Sequence, residues 1–261
     1  EFSKECIPPP MGGQGIDMLV PTLLELGTEQ QKEKYIKPTL HGEMIWCQGY
    51  SEPNAGSDLA SLQTKAELIN EEWVINGQKI WTSTAQYAHM MFCLVRTEPD
   101  ASKHAGISYL LIPMDTPGIE IRPLVDMTLK AGFNEVFFTD VKIPETNIVG
   151  SRGEGWAVAN ATLGHERGSL APPDAIMSRL NMLIELMQKE TLDGKPLSDD
   201  SIYRDRLMKI QAKVMAFQSH ALRILSAKLN PGQDVKIGKM IQKYVGTELR
   251  HELEGLAIDV M

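Results

Sequence analysis

The stretch Gly49-Tyr50-Ser51-Glu52-Pro53-Asn54-Ala55-Gly56-Ser57-Asp58 gathers small residues, hydroxyls and two acids into one loop, directly after an apolar run, Ile45 to Tyr50, that reads as a strand. Such a loop lets backbone N–H groups approach a ligand closely, while Ser51 and Ser57 supply short, orientable hydrogen bonds. An Asx/Ser-type turn joining two strands has the same composition. Spacing alone leaves both readings open. The surroundings are clearer. From about Ile45 to Val149 short β-rich runs recur at intervals of roughly ten residues, the rhythm of an antiparallel sandwich or barrel. Strands are expected over Ile45 to Tyr50, Thr64 to Ile69, Glu72 to Ile75, Gln78 to Ser83, Met91 to Arg96, Ile107 to Ile112 and Glu135 to Phe138. Asn76-Gly77 is expected to close a two-residue hairpin between the third and fourth of these, because such a turn requires positive φ at both positions.

Outside this region the period changes. Upstream, the Pro/Gly-rich Ile7-Pro8-Pro9-Pro10-Met11-Gly12-Gly13 gives way to two helical pieces, Met18 to Leu26 and Gln30 to Leu40, parted by Gly27-Thr28. Downstream of Gly155, Leu207, Ile210, Val214, Phe217, Ala221 and Leu225 recur at steps of three and four until Pro231-Gly232, and a second long helix runs from Val235 through Leu256. Helix, then β, then helix describes segregated layers, an α+β multidomain chain, and not alternating βαβ units. Residues 1–45 are read as the end of an N-terminal helical domain, 46–150 as the β domain and 151–261 as an incomplete C-terminal helical bundle.

The chain has 261 residues, a formal charge of −8 and 43% apolar residues, an ordinary globular composition. Charges of both signs are interspersed, without the Lys/Arg stripe that phosphate backbones require, so nucleic acid is not an expected partner. No apolar stretch approaches the ~20 residues of a membrane-spanning helix. Cys6, Cys47 and Cys93 are far apart, and the six histidines show no ligand spacing, so neither a disulfide framework nor a metal site is expected. The start at Glu1 and the end at Met261, inside an apolar-periodic segment, read as cuts in a longer chain.

Two further stretches could carry chemistry. In Asn76-Gly77-Gln78-Lys79-Ile80-Trp81-Thr82-Ser83 a strand reading puts Trp81 and Ser83 on one face, where an indole with neighbouring hydroxyls could wall a planar heterocycle. A strand Trp also serves simple core packing. In the helical segment Trp156 to Ala171, residues Ala159, Leu163, Glu166 and Leu170 recur at steps of four, three and four, placing Glu166 on an otherwise apolar stripe, with Arg167 pointing elsewhere. A carboxylate in such surroundings can act as a base, because burial raises its proton affinity. A lone acid beside an Arg is also a common surface pair. Gly150, Gly153 and Gly155 are spaced as in a phosphate loop, but no βαβ unit surrounds them, and a helix-entry loop is the better reading.

Taken together, Ser51-Glu52-Pro53-Asn54-Ala55-Gly56-Ser57-Asp58 and Ile75-Asn76-Gly77-Gln78-Lys79-Ile80-Trp81-Thr82-Ser83 resemble the flavin-domain signature of the acyl-CoA dehydrogenases. Leu26-Gly27-Thr28-Glu29-Gln30-Gln31-Lys32 with His41-Gly42-Glu43 is similar to the end of that family's first helical domain. Phe138-Thr139-Asp140-Val141-Lys142-Ile143-Pro144, Val149-Gly150 and Gly153-Glu154-Gly155-Trp156 are similar to its exit from the β domain. The resemblance implies FAD lying between the β domain and the C-terminal helices, with Gln48, Tyr50 and Ser51 lining the flavin, Trp81, Thr82 and Ser83 flanking its ring, and Ser57 touching the acyl-CoA. It implies removal of an α proton and a β hydride from an acyl thioester, with electrons passing to an electron-transfer flavoprotein. Leu163-Gly164-His165-Glu166-Arg167 is similar to the segment where the isovaleryl-CoA and long-chain members carry their catalytic glutamate, which makes Glu166 the base and Arg167 a substrate contact; other members place that glutamate much later. His165 is read as structural or solvent-facing.

The family commonly has an Arg-x-x-Phe-Gly segment that reaches the FAD of a neighbouring subunit. The corresponding Lys189 to Pro196 has neither the arginine nor the aromatic. A homotetramer is the family's usual assembly, and this departure admits a mixed assembly with a related subunit, one of them non-catalytic. An acyl-CoA oxidase is the alternative within the fold. The bacterial cytoplasm, or secondly the mitochondrial matrix, is the compartment such an enzyme of fatty-acid β-oxidation would occupy.

Overall fold

A computed structural model describes residues 13–169, 172–230 and 235–261. Cys6, Leu170 and the Pro231-Gly232 break lie outside the described residues. The chain divides into two compact units, one ending at His165 and the other beginning at Glu166.

The first unit opens with a π-helical turn, Gln14–Leu19, that continues into α1 (Val20–Leu26). Thr28 starts α2 (Glu29–Leu40): its hydroxyl accepts from the Gln31 N–H, and the Gln31 side chain accepts from the Thr28 N–H. This capping box satisfies two otherwise orphaned donors and explains why Gly27-Thr28 parts the helices.

Eight strands follow: β1 (Trp46–Gly49), β2 (Lys65–Ile69), β3 (Glu72–Lys79), β4 (Met90–Arg96), β5 (Ile107–Pro113), β6 (Ile119–Leu124), β7 (Phe133–Pro144) and β8 (Ile148–Val149). They hydrogen-bond in the order β6-β7-β3-β2-β4-β5-β8, with β1 also on β4. The sheet is mixed: most pairs are antiparallel, but β1 and β2 both run parallel to β4. β4 and β5, apart from Ser108, are apolar runs because they are buried on both faces. Phe92 and Leu94 belong to a core shared with Leu19, Leu23, Tyr35 and Trp46. Met91, Cys93 and Val95 belong to a second core, closed by Trp73, Ile75, Val136, Phe138 and Val141 from the β3 and β7 arm. The sheet thus folds over on itself in the manner of a sandwich.

Two sequence expectations about β3 are corrected. Asn76-Gly77 makes no hairpin. It lies within β3 opposite a bulge in β7, where Asn76 faces both Thr139 and Asp140 and the register shifts between Ile75 and Gly77. Gly77 has φ +150°, and a Cβ there would sit 2.6 Å from the Thr64 Cα, while Asn76 exchanges hydrogen bonds with Asp140 on β7. The β2–β3 hairpin turns instead at Asn70-Glu71, both with positive φ (51° and 65°). The strand also ends earlier than expected, at Lys79, because Trp81 adopts φ +58°. Side-chain alternation therefore does not relate Trp81 to Ser83.

β8 leads into α3 (Gly155–Ser169) through a loop in which Gly150 and Gly153 have positive φ, a backbone that glycine adopts without steric cost. The start of α3 lies flat on β5: a Cβ on Gly155 would come within 2.6 Å of the Ser108 Cα and the Tyr109 N.

In the second unit α4 (Pro173–Lys189), a short hairpin of β9 (Thr191–Leu192) and β10 (Lys195–Pro196), α5 (Ser201–Lys228) and α6 (Lys236–Val260) follow in order. Asp193-Gly194, both at positive φ, turn the hairpin. The helices bury one stripe each: Ile176, Leu180, Leu183 and Met187; Leu207, Ile210, Val214 and Phe217; Leu249, Leu253, Leu256 and Val260. Each such side chain contributes about 1.5–3 kcal/mol on burial, which holds three helices together without help from their exposed ion pairs.

Candidate functional site

The loop after β1 and the segment after β3 lie side by side. The Ile80 N–H donates to the Ser51 carbonyl at 2.9 Å. Within the loop Glu52 and Ala55 exchange backbone hydrogen bonds at 3.0 Å, so Pro53-Asn54 forms a tight turn. Beneath it lies a buried ion pair that the sequence reading did not find. Glu52 accepts from Lys79 Nζ at 2.7 Å and from the Gln63 and Thr64 N–H groups at 2.5 and 2.9 Å. Lys79, fully buried, also donates to the Tyr50 carbonyl at 3.2 Å. A signal existed: Lys79 shares its strand face with the buried Trp73 and Ile75, a position where a cation needs a partner.

Burial alone would raise the proton affinity of Glu52, but Lys79 and the two backbone donors outweigh it and hold its pKa below the ordinary 4.5. A carboxylate with a depressed folded pKa stabilises the fold fully above its unfolded value, and that contribution fades as the pH drops through the folded value. Urea unfolding of wild type and Glu52→Gln between about pH 3 and 6 should therefore show wild type the more stable near pH 6 and the two converging on acidification. Parallel profiles would contradict this.

The positions of the sequence-derived residues can now be given. Gln48 is half-buried in β1 opposite Phe92. Tyr50 is buried, its ring edge-on to Phe92 and Tyr109 at 5.9 and 6.3 Å, while those two rings stack at 6.0 Å. Ser51 is half-buried, and Ser57 is exposed at the far end of the loop. Trp81 is 60% exposed, an unusual state for an indole, and is braced edge-on by Phe133 at 6.0 Å. Thr82 is buried and exchanges backbone hydrogen bonds with Asn134 at 3.0 Å; its hydroxyl has no hydrogen-bond partner among the described residues. Ser83 is half-buried. The structure thus brings the Tyr50 and Ser51 carbonyls and the start of the Trp81 segment together, and leaves Ser57 exposed further along the same loop.

Glu166 lies half-buried in α3, and Arg167 follows it there, with its side chain outside the described residues. His165 faces Glu25, Nε2 to Oε1 at 3.2 Å. On the same helix Thr162 joins Thr22 at 3.0 Å and the Tyr109 hydroxyl at 3.4 Å, tying α1, α3 and β5 together. Burial pushes the Cys47 and Cys93 thiols up, the latter to about 11, so neither supplies a thiolate near neutrality. No group of three or more metal-ligating side chains occurs among the described residues.

Comparison with known proteins accounts for this layout. The acyl-CoA dehydrogenase middle-domain model matches residues 47–141, and the acyl-CoA dehydrogenase C-terminal-domain model matches 153–261. The chain belongs to the acyl-CoA dehydrogenase family. Acyl-CoA dehydrogenase IpdE1 of Mycobacterium tuberculosis is 41% identical over the whole chain, and FadE34 of the same organism is 40% identical over 92% of it. The chain spans 66% of the length of the first relative and 33% of the second. Among solved structures, the ChsE4-ChsE5 complex from Mycobacterium tuberculosis superposes with a TM-score of 0.86 at 31% identity, covering 99% of this chain and 66% of that one. The Tcur3481-Tcur3483 steroid acyl-CoA dehydrogenase, as its G363A variant, does so with a TM-score of 0.85 at 29% identity, over 94% of this chain and 63% of that one. Members of this acyl-CoA dehydrogenase family are flavoproteins, and no helix among the described residues is long and apolar enough to cross a membrane.

Proposed function

We propose that the full-length protein catalyses FAD-dependent α,β-dehydrogenation of an acyl-CoA thioester to the 2,3-enoyl-CoA. The observation that carries this reading is the solvent-exposed Trp81 indole, a flat apolar surface on the segment whose Ile80 N–H bonds the Ser51 loop. A planar heterocycle fits such a surface: it covers the indole, and Ser51, Thr82 and Ser83 offer hydroxyls to its polar edge, the buried Thr82 hydroxyl having no hydrogen-bond partner among the described residues. Gln48 and Tyr50 complete the flavin lining. FAD, when bound, accepts the hydride lost from the β carbon. Glu166 takes the α proton on its carboxylate, Arg167 and Ser57 hold the thioester's CoA portion, and Tyr50, fixed by Phe92 and Tyr109, keeps the lining rigid. An electron-transfer flavoprotein would be the partner that takes the electrons onward.

A mixed assembly has specific support. Two of the similar solved structures are named as pairs of different chains. In this chain the stretch after α4 forms the β9–β10 hairpin and carries no arginine–aromatic pair. We therefore place the chain in a complex with a related subunit in preference to a homotetramer. Its substrates include bulky acyl groups such as steroid side chains, as the name of one similar structure suggests. The bacterial cytoplasm is the compartment of such an assembly.

The test is the visible absorption of the full-length protein with its partner, before and after anaerobic addition of straight-chain, branched and steroid-side-chain acyl-CoAs. Bleaching of an oxidised-flavin band by one class supports the reading and names the substrate. A complete assembly without flavin marks this chain as a non-catalytic subunit, and peroxide released under air marks an oxidase.

A further inference from the structure

Lys79 and Ile80 hold the Ser51 loop in succession. Lys79 donates to the Tyr50 carbonyl and Ile80 donates to the Ser51 carbonyl, and Trp81, with its exposed indole, follows them in the chain. The two carbonyls that flank the Ser51 N–H and Cα are therefore both pinned from one short segment. Among the described residues no peptide is cis. In a trans peptide the N–H points opposite to the C=O, so the Ser51 N–H is directed away from Lys79. A hydrogen bond from an ammonium to the Tyr50 oxygen withdraws electron density from the whole peptide unit and makes the N–H on its other side a stronger donor.

Stability alone does not account for an ammonium here. Buried ion pairs stabilise little compared with apolar side chains of the same volume, since desolvation offsets the attraction. Glu52 already has two backbone donors, from Gln63 and Thr64. What Lys79 adds is a fixed positive charge, neutralised on one side by Glu52 and delivered on the other to the Tyr50–Ser51 peptide.

We infer that Lys79 is a positioning residue of the flavin site, which orients and polarises the Tyr50–Ser51 peptide so that its N–H favours the electron-rich, reduced flavin over the oxidised one. The inference rests on the flavin reading above and concerns no atom of the reacting acyl group. Glu52 in this scheme holds the ammonium in place.

The experiment measures the flavin midpoint potential and absorption spectrum of the full-length protein as wild type, Glu52→Gln, Lys79→Met and Glu52→Gln/Lys79→Met. The double variant removes both charges at once and leaves no unpaired buried ion, so it carries the test should Lys79→Met fail to fold. Without Lys79, reduced FAD should bind about tenfold more weakly relative to oxidised FAD, a fall of about 30 mV for a two-electron couple. Glu52→Gln, which retains the ammonium, should keep the potential at or above the wild-type value, an ordering that loss of packing alone does not produce. A folded, flavin-loaded double variant with wild-type potential and spectrum overturns the inference, as does an equal fall in Glu52→Gln. Wild-type protein that takes up no flavin overturns the underlying flavin reading instead, which separates the two failures.

Discussion

Glu166→Gln in the full-length protein is expected to abolish turnover while FAD stays bound. The amide preserves shape but exchanges one acceptor oxygen for a donor and cannot accept the α proton. Removing a positioned general base costs typically about 10²–10⁴-fold, and with the proton held by a weakly acidic carbon the upper part of that range is expected. Flavin content should be unchanged, because the proposed flavin contacts, Gln48, Tyr50, Ser51, Trp81, Thr82 and Ser83, all belong to the loop and strand ends of the β domain. Glu166→Asp withdraws the carboxylate by one methylene. A misplacement of that order costs about 10²-fold, so an intermediate rate is expected. Stopped-flow reduction of the flavin by the acyl-CoA identified by bleaching reads all three proteins. Retained turnover in Glu166→Gln would assign the proton to a glutamate in the portion of the protein that this chain does not span.

The contrast between what could and could not be seen in the sequence follows from the range of the interactions. Helices α2 and α5 were legible because their signals are local: Gly27-Thr28 parts the two N-terminal pieces, and the α5 stripe repeats every three to four residues. β4 and β5 were legible for the same reason, as largely apolar runs, interrupted only by Ser108 in β5, that are buried on both faces. β6 was not. It is an edge strand whose inner positions, Ile119 and Ile121, alternate with Glu120 and Arg122 and are followed by Pro123, a composition that reads equally as loop. Asn76-Gly77 misled for a different reason. Gly77 does adopt an unusual backbone, but the partner that keeps the dipeptide inside a strand, Asp140 in the β7 bulge, is 64 residues from Asn76. The site divides in the same way. The Ser51 loop and the Trp81 segment were recognisable as stretches, whereas Lys79 and Glu52, 27 residues apart, acquire meaning only when β3 is laid beside the loop. A cation on the inward face of a strand was the one local hint.

Phe92→Ala should cost the first unit about 3–5 kcal/mol, the range for deleting a large buried aromatic and leaving its cavity. Phe92 is fully buried, stacks on Tyr109 with only 2° between ring planes, and receives the edge of Tyr50. Its neighbours cannot collapse into the gap easily. Tyr109 is tied through its hydroxyl to Thr162 on α3, and the Phe92 backbone is fixed between Gln48 on β1 and Leu111 on β5. Aromatic pairs of this geometry are worth about 0.5–1.5 kcal/mol beyond their area, which moves the expectation towards the upper end. The chain's four tryptophans, 46, 73, 81 and 156, all precede Glu166, so their fluorescence during urea unfolding reports the first unit. The almost fully exposed Met127, changed to Ala, is the control and should shift stability by no more than about 0.5 kcal/mol. Because Tyr50 loses the ring it leans on, Phe92→Ala should also weaken flavin retention under conditions where the protein remains folded. A loss of stability below about 1 kcal/mol would mean that the three rings repack, and the rigidity assigned to the Tyr50 lining would then have to come from the Lys79 hydrogen bond alone.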